Sequence, residues 1–266
     1  MKTDILKRNN VRVKGQGDQV LVFAHGFGCD QSVWRKVEAA FLDEYRVVLF
    51  DYVGSGKSDK SQYSTERYNS LHGYKQDVLE ICAALELKNI IFIGHSVSSM
   101  IGALAAIDQP ELIDKLIMIG PSPRYLNEPG YKGGFDKEDI DELLEMMEVN
   151  YKEWAKYLAP VSMQNPERPE LAEDLEKLFR SNDPIIARQF AEVTFNSDVR
   201  EELRKVTVPT LVLQPKFDAI VPIEIGEYIH SRVPNSEFKI MDTMGHNPHI
   251  SDAEETIRCI REYLAK

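Results

Sequence analysis

The chain has 266 residues, 43% of them hydrophobic, which is enough to bury the core of one α/β domain carrying an insertion. A formal net charge of −11 offers no positive field to a phosphate backbone, so a nucleic-acid partner is not expected. Cys29, Cys82 and Cys259 are odd in number and widely spaced with no C-x-x-C pair, which excludes a disulfide framework or a zinc site and favours a reduced, cytoplasmic setting.

The first ten residues are polar and charged, and no apolar run approaches the roughly 18 residues of a membrane span, so neither a secretion signal nor a membrane contact is expected. Residues 11–14 alternate apolar and basic before Gly15-Gln16-Gly17-Asp18 interrupts them, which predicts a hairpin into a strand over 19–24. That strand ends at His25-Gly26-Phe27-Gly28, and Asp30 or Ser32 can cap a helix over 33–42. Residues 46–51 read as the next strand. The following Gly56-Lys57-Ser58 mimics the end of a phosphate-binding loop, but Asp51 stands where that loop needs a glycine, so a nucleotide site is rejected. An amphipathic helix is predicted over 74–87.

Residues 90–93 then form an apolar run of β-branched and aromatic residues read as a strand buried on both faces. The turn Gly94-His95-Ser96-Val97-Ser98 and a buried helix to about residue 109 follow it. This is the strand–turn–helix pattern G-x-S-x-G with serine in the last position, and it raises the Ser96 hydroxyl above the sheet. A serine in such a turn can also do no more than cap the helix. A further strand lies over 116–119. Alternation then stops, and residues 136–151, 151–158, 169–180 and 183–196 read as helices. It resumes with strands at 210–213 and 238–241 and helices at 224–233 and 253–265. An insertion flanked by both halves of one sheet reads as a helical cap over 122–206 on a core of 1–121 and 207–266.

A serine hydroxyl attacks only when a base takes its proton and a third group holds the base. In this topology the order is Ser, acid, His. His246, in Met244-Gly245-His246-Asn247-Pro248 past the last strand, is the candidate base, with His249 as its rival. His25 and His95 are built into turns, while His72 and His230 sit in polar helical contexts. Asp218 is the candidate acid; Asp242 and Glu224 are the alternatives. The backbone N–H groups of Val97 and Phe27 are the candidate oxyanion donors. A serine rather than a carboxylate at the elbow favours acyl transfer over dehalogenase or epoxide-hydrolase chemistry. No cofactor motif or metal-ligand cluster is present in the sequence.

Through these residues the sequence resembles the α/β-hydrolase family, and within it the bacterial general-stress regulators and the plant strigolactone and karrikin receptors. The resemblance rests on His25-Gly26-Phe27-Gly28 with Asp30-Gln31-Ser32-Val33-Trp34, on Phe50-Asp51-Tyr52-Val53-Gly54-Ser55-Gly56, and on Gly94-His95-Ser96-Val97-Ser98. Pro121-Ser122-Pro123-Arg124-Tyr125-Leu126-Asn127 and Gly133-Gly134-Phe135 extend it into the insertion. It implies a mostly parallel eight-stranded sheet with helices on both faces and a four-helix cap over an apolar pocket. Ser96, Asp218 and His246 would form the triad, Phe27 and Val97 the oxyanion hole. Phe27, Tyr125, Phe135, Leu143, Trp154, Leu158, Phe195 and Ala219 would line the pocket, although Trp154 and Phe195 also suit a cap core. The implied substrate is a small hydrophobic ester or lactone. The implied role is positive regulation of a general-stress sigma-factor pathway beside a PAS-domain-containing phosphatase in the cytoplasm, or ligand sensing with little turnover. The acidic segment 136–148 is the surface expected to meet a protein partner.

Overall fold

The computed structural model describes residues 4–266. Its centre is the pair of short apolar runs β2 (Val20–Ala24) and β4 (Ile90–His95), every residue of which is buried. Around them stand β1 (Arg12–Lys14), β3 (Arg46–Leu49), β5 (Ile113–Ile119), β6 (Thr210–Phe217) and β7 (Ser236–Met244). The spatial order is β1-β3-β2-β4-β5-β6-β7, with every neighbouring pair parallel except β1 with β3. Parallel strands need crossovers, and the helices that supply them cover both faces of the sheet. In chain order the helices are α1 (Ile5–Arg8), α2 (Arg35–Glu38), α3 (Leu71–Ala84), α4 (Val97–Asp108), α5 (Lys137–Val149), α6 (Tyr151–Met163), α7 (Pro169–Ser181), α8 (Pro184–Phe195), α9 (Ile223–Arg232), α10 (Pro248–Ser251) and α11 (Ala253–Leu264). None is long and apolar enough to cross a membrane among the described residues.

The sheet has seven strands among the described residues, where eight were expected. Ahead of β1 the chain turns into α1, capped by the Asp4 side chain on Lys7 N–H, and the buried Arg8 is pinned to Asp77 and Glu80, so this stretch adds no strand. The expected hairpin is also replaced: β1 pairs with β3 and not with β2. Gly15 and Gly17 explain the detour. Their backbone presses so closely on Tyr45 and Glu44 that an added Cβ would lie 2.2 Å from one carbonyl oxygen and 2.1 Å from the other, which carries the chain past β3 to its outer edge. The helix expected over 33–42 is a 3₁₀ turn (Gln31–Trp34) followed by the four-residue α2. Trp34 packs 5.1 Å from Phe23 and 4.4 Å from His249, and burying that indole outweighs a regular helix. Asp30, rather than Ser32, caps the turn through Ser32 N–H at 2.8 Å.

Helices α5 to α8 are the four-helix insertion between β5 and β6. Proline stands at the first position of α7 and α8, where its missing N–H is no loss. Helix α6 runs past Pro160 to Met163, five residues beyond the expected end, because Trp154, Ala155, Leu158, Ala159, Ser162 and Met163 keep one face buried through the proline. The insertion rests on the loop after β2. The Phe27 ring meets Trp154, Phe190 and Phe195 edge-on at 5.8, 5.8 and 5.9 Å.

Candidate active site

Ser96 joins β4 to α4 with φ +55 and ψ −124, a conformation that a side chain with a Cβ rarely adopts. Packing holds the strain. Gly94 lies so close to the first turn of α4 that an added Cβ would be 2.5 Å from Ser98 O, and Ser96 N–H donates to Ile119 O at 2.8 Å. Ser98 fills the last motif position as serine because its hydroxyl is used. It donates to His25 O and accepts from the Tyr52 hydroxyl at 2.9 Å, joining the loops after β2, β3 and β4.

The Ser96 side chain makes no capping bond to α4. Its Oγ instead lies 2.8 Å from His246 Nε2, and His246 Nδ1 lies 2.8 Å from Asp218 Oδ2. A carboxylate only accepts, so Nδ1 carries the proton and Nε2 is the bare nitrogen facing the hydroxyl. The Asp218 side chain is fully buried, and its Oδ1 accepts from Ile220 N–H at 2.8 Å and Val221 N–H at 3.1 Å. The rival carboxylates point elsewhere: Asp242 pairs with Lys216 and Glu224 with Lys132 on the surface. The rival His249 is buried between Trp34 and His95, with neither ring nitrogen bonded to protein. Burial first, then repulsion from His246 and His25, pushes its pKa down to about 3. Burial likewise holds His95 well below the usual imidazole value.

Tyr125, untouched by solvent, brings its hydroxyl to 3.2 Å from Ser96 Oγ. Burial drives its pKa upward, so it stays protonated and donates to the oxygen whose own proton faces His246. The loop 25–28 lies directly on the elbow: a Cβ on Gly26 would be 2.5 Å from His95 Nδ1 and 3.4 Å from Ser96 Cβ. Val97 is the first residue of α4, so its N–H has no acceptor within the helix and stands beside Ser96.

A cavity of about 30 Å³ lies over Ser96 and His246, lined also by Phe27, His95, Tyr125, Leu158, Ser162, Phe179, Thr194, Phe195, Ile220 and Asn247. Four expected wall residues do not line it. Trp154 is fully buried behind Phe27, where it packs on Tyr151 and Phe179. Leu143 is buried on α5, and Phe135 stands outside Phe195 at 6.0 Å. Ala219 faces solvent, and Ile220 takes its place on the wall because the Asp218 turn directs it inward. Sequence reasoning missed Ser162 by ending α6 too early; it missed Asn247 although that residue directly follows His246. A larger cleft, about 800 Å³, is elsewhere, between the segment 63–72, α5 and α8, and contains none of the three hydrogen-bonded residues.

Residues 19–253 match the family model described as alpha/beta hydrolase fold. The strigolactone esterase D14 of Arabidopsis thaliana is 38% identical over 264 residues, covering 99% of this chain and 98% of that one. The karrikin insensitive 2 receptor CA of Petunia hybrida is 37% identical over 257 residues, covering 96% and 95%. Among solved structures, a hydrolase from Oleispira antarctica superposes with a TM-score of 0.96 at 41% identity, covering 99% and 97%.

Proposed function

The chain belongs to the α/β-hydrolase family, and from that premise we propose that it hydrolyses a small hydrophobic ester or lactone, with Ser96 as nucleophile, His246 as base and Asp218 as its partner. The observation that carries this reading is the pair of hydrogen bonds on opposite nitrogens of one imidazole, Ser96 Oγ to His246 Nε2 and His246 Nδ1 to Asp218 Oδ2, each 2.8 Å. His246 takes the Ser96 proton as Oγ attacks the carbonyl carbon. Asp218 stabilises the imidazolium that results, and the N–H groups of Val97 and Phe27 receive the oxyanion. The imidazolium then protonates the leaving oxygen. Water, deprotonated by the same imidazole, releases the acid from the acyl-serine. Esterases among the relatives support the reaction class.

The residues 1–121 and 207–266 serve as the catalytic core and 122–206 as the lid that sets substrate size. The apolar lining, with Phe27, Leu158, Phe179, Phe195 and Ile220, favours a hydrophobic acyl or lactone body. A mechanism-based serine reagent followed by peptide mapping should add its mass to Ser96 alone. Ser96→Ala should lower kcat on p-nitrophenyl acetate by at least about 10³-fold; undiminished activity in that variant would end the reading.

A second role is ligand sensing with little turnover. It is favoured by the receptors among the relatives. The likeness of residues 50–56 and 121–127 to bacterial stress regulators supports a cytoplasmic sensor that acts through a PAS-domain-containing phosphatase on a general-stress sigma factor. Co-purification of such a phosphatase from the native host, dependent on ligand, is the test; no phosphatase in the eluate removes this role and leaves the hydrolase.

A further inference from the structure

The last turn of α6 belongs to the insertion, yet it is bonded to both loops that carry the reactive side chains. His246 N–H donates to Ser162 O at 2.8 Å, and the Asn247 side-chain amide donates to Ser162 Oγ at 2.7 Å. On the other loop, Ala219 N–H, next to Asp218, donates to Gln164 Oε1 at 2.8 Å. Gln164 can reach it because it ends the helix in a left-handed conformation, φ +50, with its own N–H returned to Pro160 O at 3.0 Å. The fit is tight: a Cβ on Gly245 would lie 2.0 Å from Met163 O, so the His246 loop is seated directly on the end of the helix. The other side of His246 is held by the core, where His95 Nε2–H donates to His246 O at 2.7 Å. Both main-chain polar groups of His246 are therefore clamped, one by the insertion and one by the nucleophile turn.

We propose that Ser162 and Gln164 are positioning residues for the reaction: the end of α6 sets the placement of His246 and Asp218 over Ser96, so the lid is part of the catalytic frame and not only a roof. A last helical turn leaves carbonyl groups without intrahelical donors, and here the loops of the core supply them. Because Leu158 and Ser162 on the same helix line the cavity, a bound molecule that shifts α6 also shifts His246. This inference rests on the reading of Ser96, His246 and Asp218 as the reacting groups.

The test is Gln164→Met, of similar length but without an acceptor, assayed with p-nitrophenyl acetate. Without the Gln164 oxygen on Ala219 N–H the Asp218 loop is less firmly held, so kcat should fall at least about fivefold with KM changed less than about twofold. The far-downfield proton resonance of the His246 Nδ1–H···Asp218 bond should broaden, and Gln164→Glu, which keeps an acceptor oxygen, should restore both. Unchanged kcat, a rise in KM alone, or no rescue by Gln164→Glu overturns the proposal. Should Gln164→Met fail to fold, Ser162→Ala removes only the acceptor of Asn247 and should give the same pattern at about two- to threefold; unchanged kcat there overturns it equally. Ser96→Ala run in parallel separates the two failures, since an inactive Ser96→Ala beside a fully active Gln164→Met sinks the positioning role and leaves the nucleophile standing.

Discussion

Tyr125 is the residue whose role at Ser96 no sequence pattern announces. It stands on the chain after β5, and its hydroxyl lies 3.2 Å from the same Ser96 Oγ that His246 Nε2 faces at 2.8 Å. Since the Ser96 hydroxyl donates to the bare Nε2 of His246, the Tyr125 proton points at Oγ, where it fixes the serine rotamer. Tyr125→Phe removes one neutral hydrogen bond without opening space. It should lower kcat about 3- to 10-fold at nearly unchanged KM, as steady-state kinetics on an activated ester can check. A change confined to KM would make Tyr125 a pocket wall only. At this scale the sequence carried Ser96 well, because a strand, a turn with φ > 0 and a helix each leave local marks. It carried the pocket walls poorly: Trp154 and Phe195 are both buried aromatics on cap helices, and only the packing of Phe27 between them puts one behind the wall and the other on it.

Among the elements, the N-terminal segment is held to the core by a buried polar cluster. Asp77 of α3, with no exposed side-chain surface, accepts from Arg8 at 3.1 Å, Arg67 at 2.7 Å, Asn9 at 3.1 Å and the Tyr68 hydroxyl at 3.0 Å. Asn9 also donates to Asp51 O, and the Asp51 carboxylate accepts from Lys57 N–H within the loop after β3 and from Gln31 N–H in the turn after β2, tying the two together. Removing one partner of a buried charge cluster strands the others. Asp77→Ala should therefore destabilise the fold by about 3–5 kcal/mol, read as a lower urea midpoint. A shift below about 1 kcal/mol would mean that solvent reaches Arg8 more easily than its burial indicates. The helices α5 to α8 were legible from apolar spacing, capping residues and prolines. The end of α6 was not, since Pro160 reads as a stop in sequence and is overridden by one continuously buried face.

The whole molecule packs His95 and His249 together behind His246, with Trp34 covering the far side of His249 and His25 nearby. Both imidazoles are held neutral by burial, with folded-state pKa values lowered below the unfolded one. The unfolded chain then binds more protons than the folded one below about pH 6.5, so their contribution to stability is complete above that pH. It is lost as the pH falls toward about 3, the folded value of His249. The slope is on the order of 1 kcal/mol per pH unit for each fully buried group. Urea unfolding at pH 7, 6 and 5 should show falling stability, and His249→Phe should flatten that dependence; an identical slope in the variant would contradict the assignment.

The sequence by itself determined the alternation of strands and helices, the helical insertion and the sharp turn that raises Ser96. Each of these is written in periodicity, turn chemistry or nearest neighbours. Only the tertiary structure decided that Ser96 and His246, 150 residues apart, meet at 2.8 Å, that β1 lies outside β3, and that the end of α6 holds the loop carrying His246. Those outcomes depend on close packing between segments remote in the chain, where the fit of Gly245 on Met163 or of Gly17 on Glu44 is settled within tenths of an ångström and leaves no local trace.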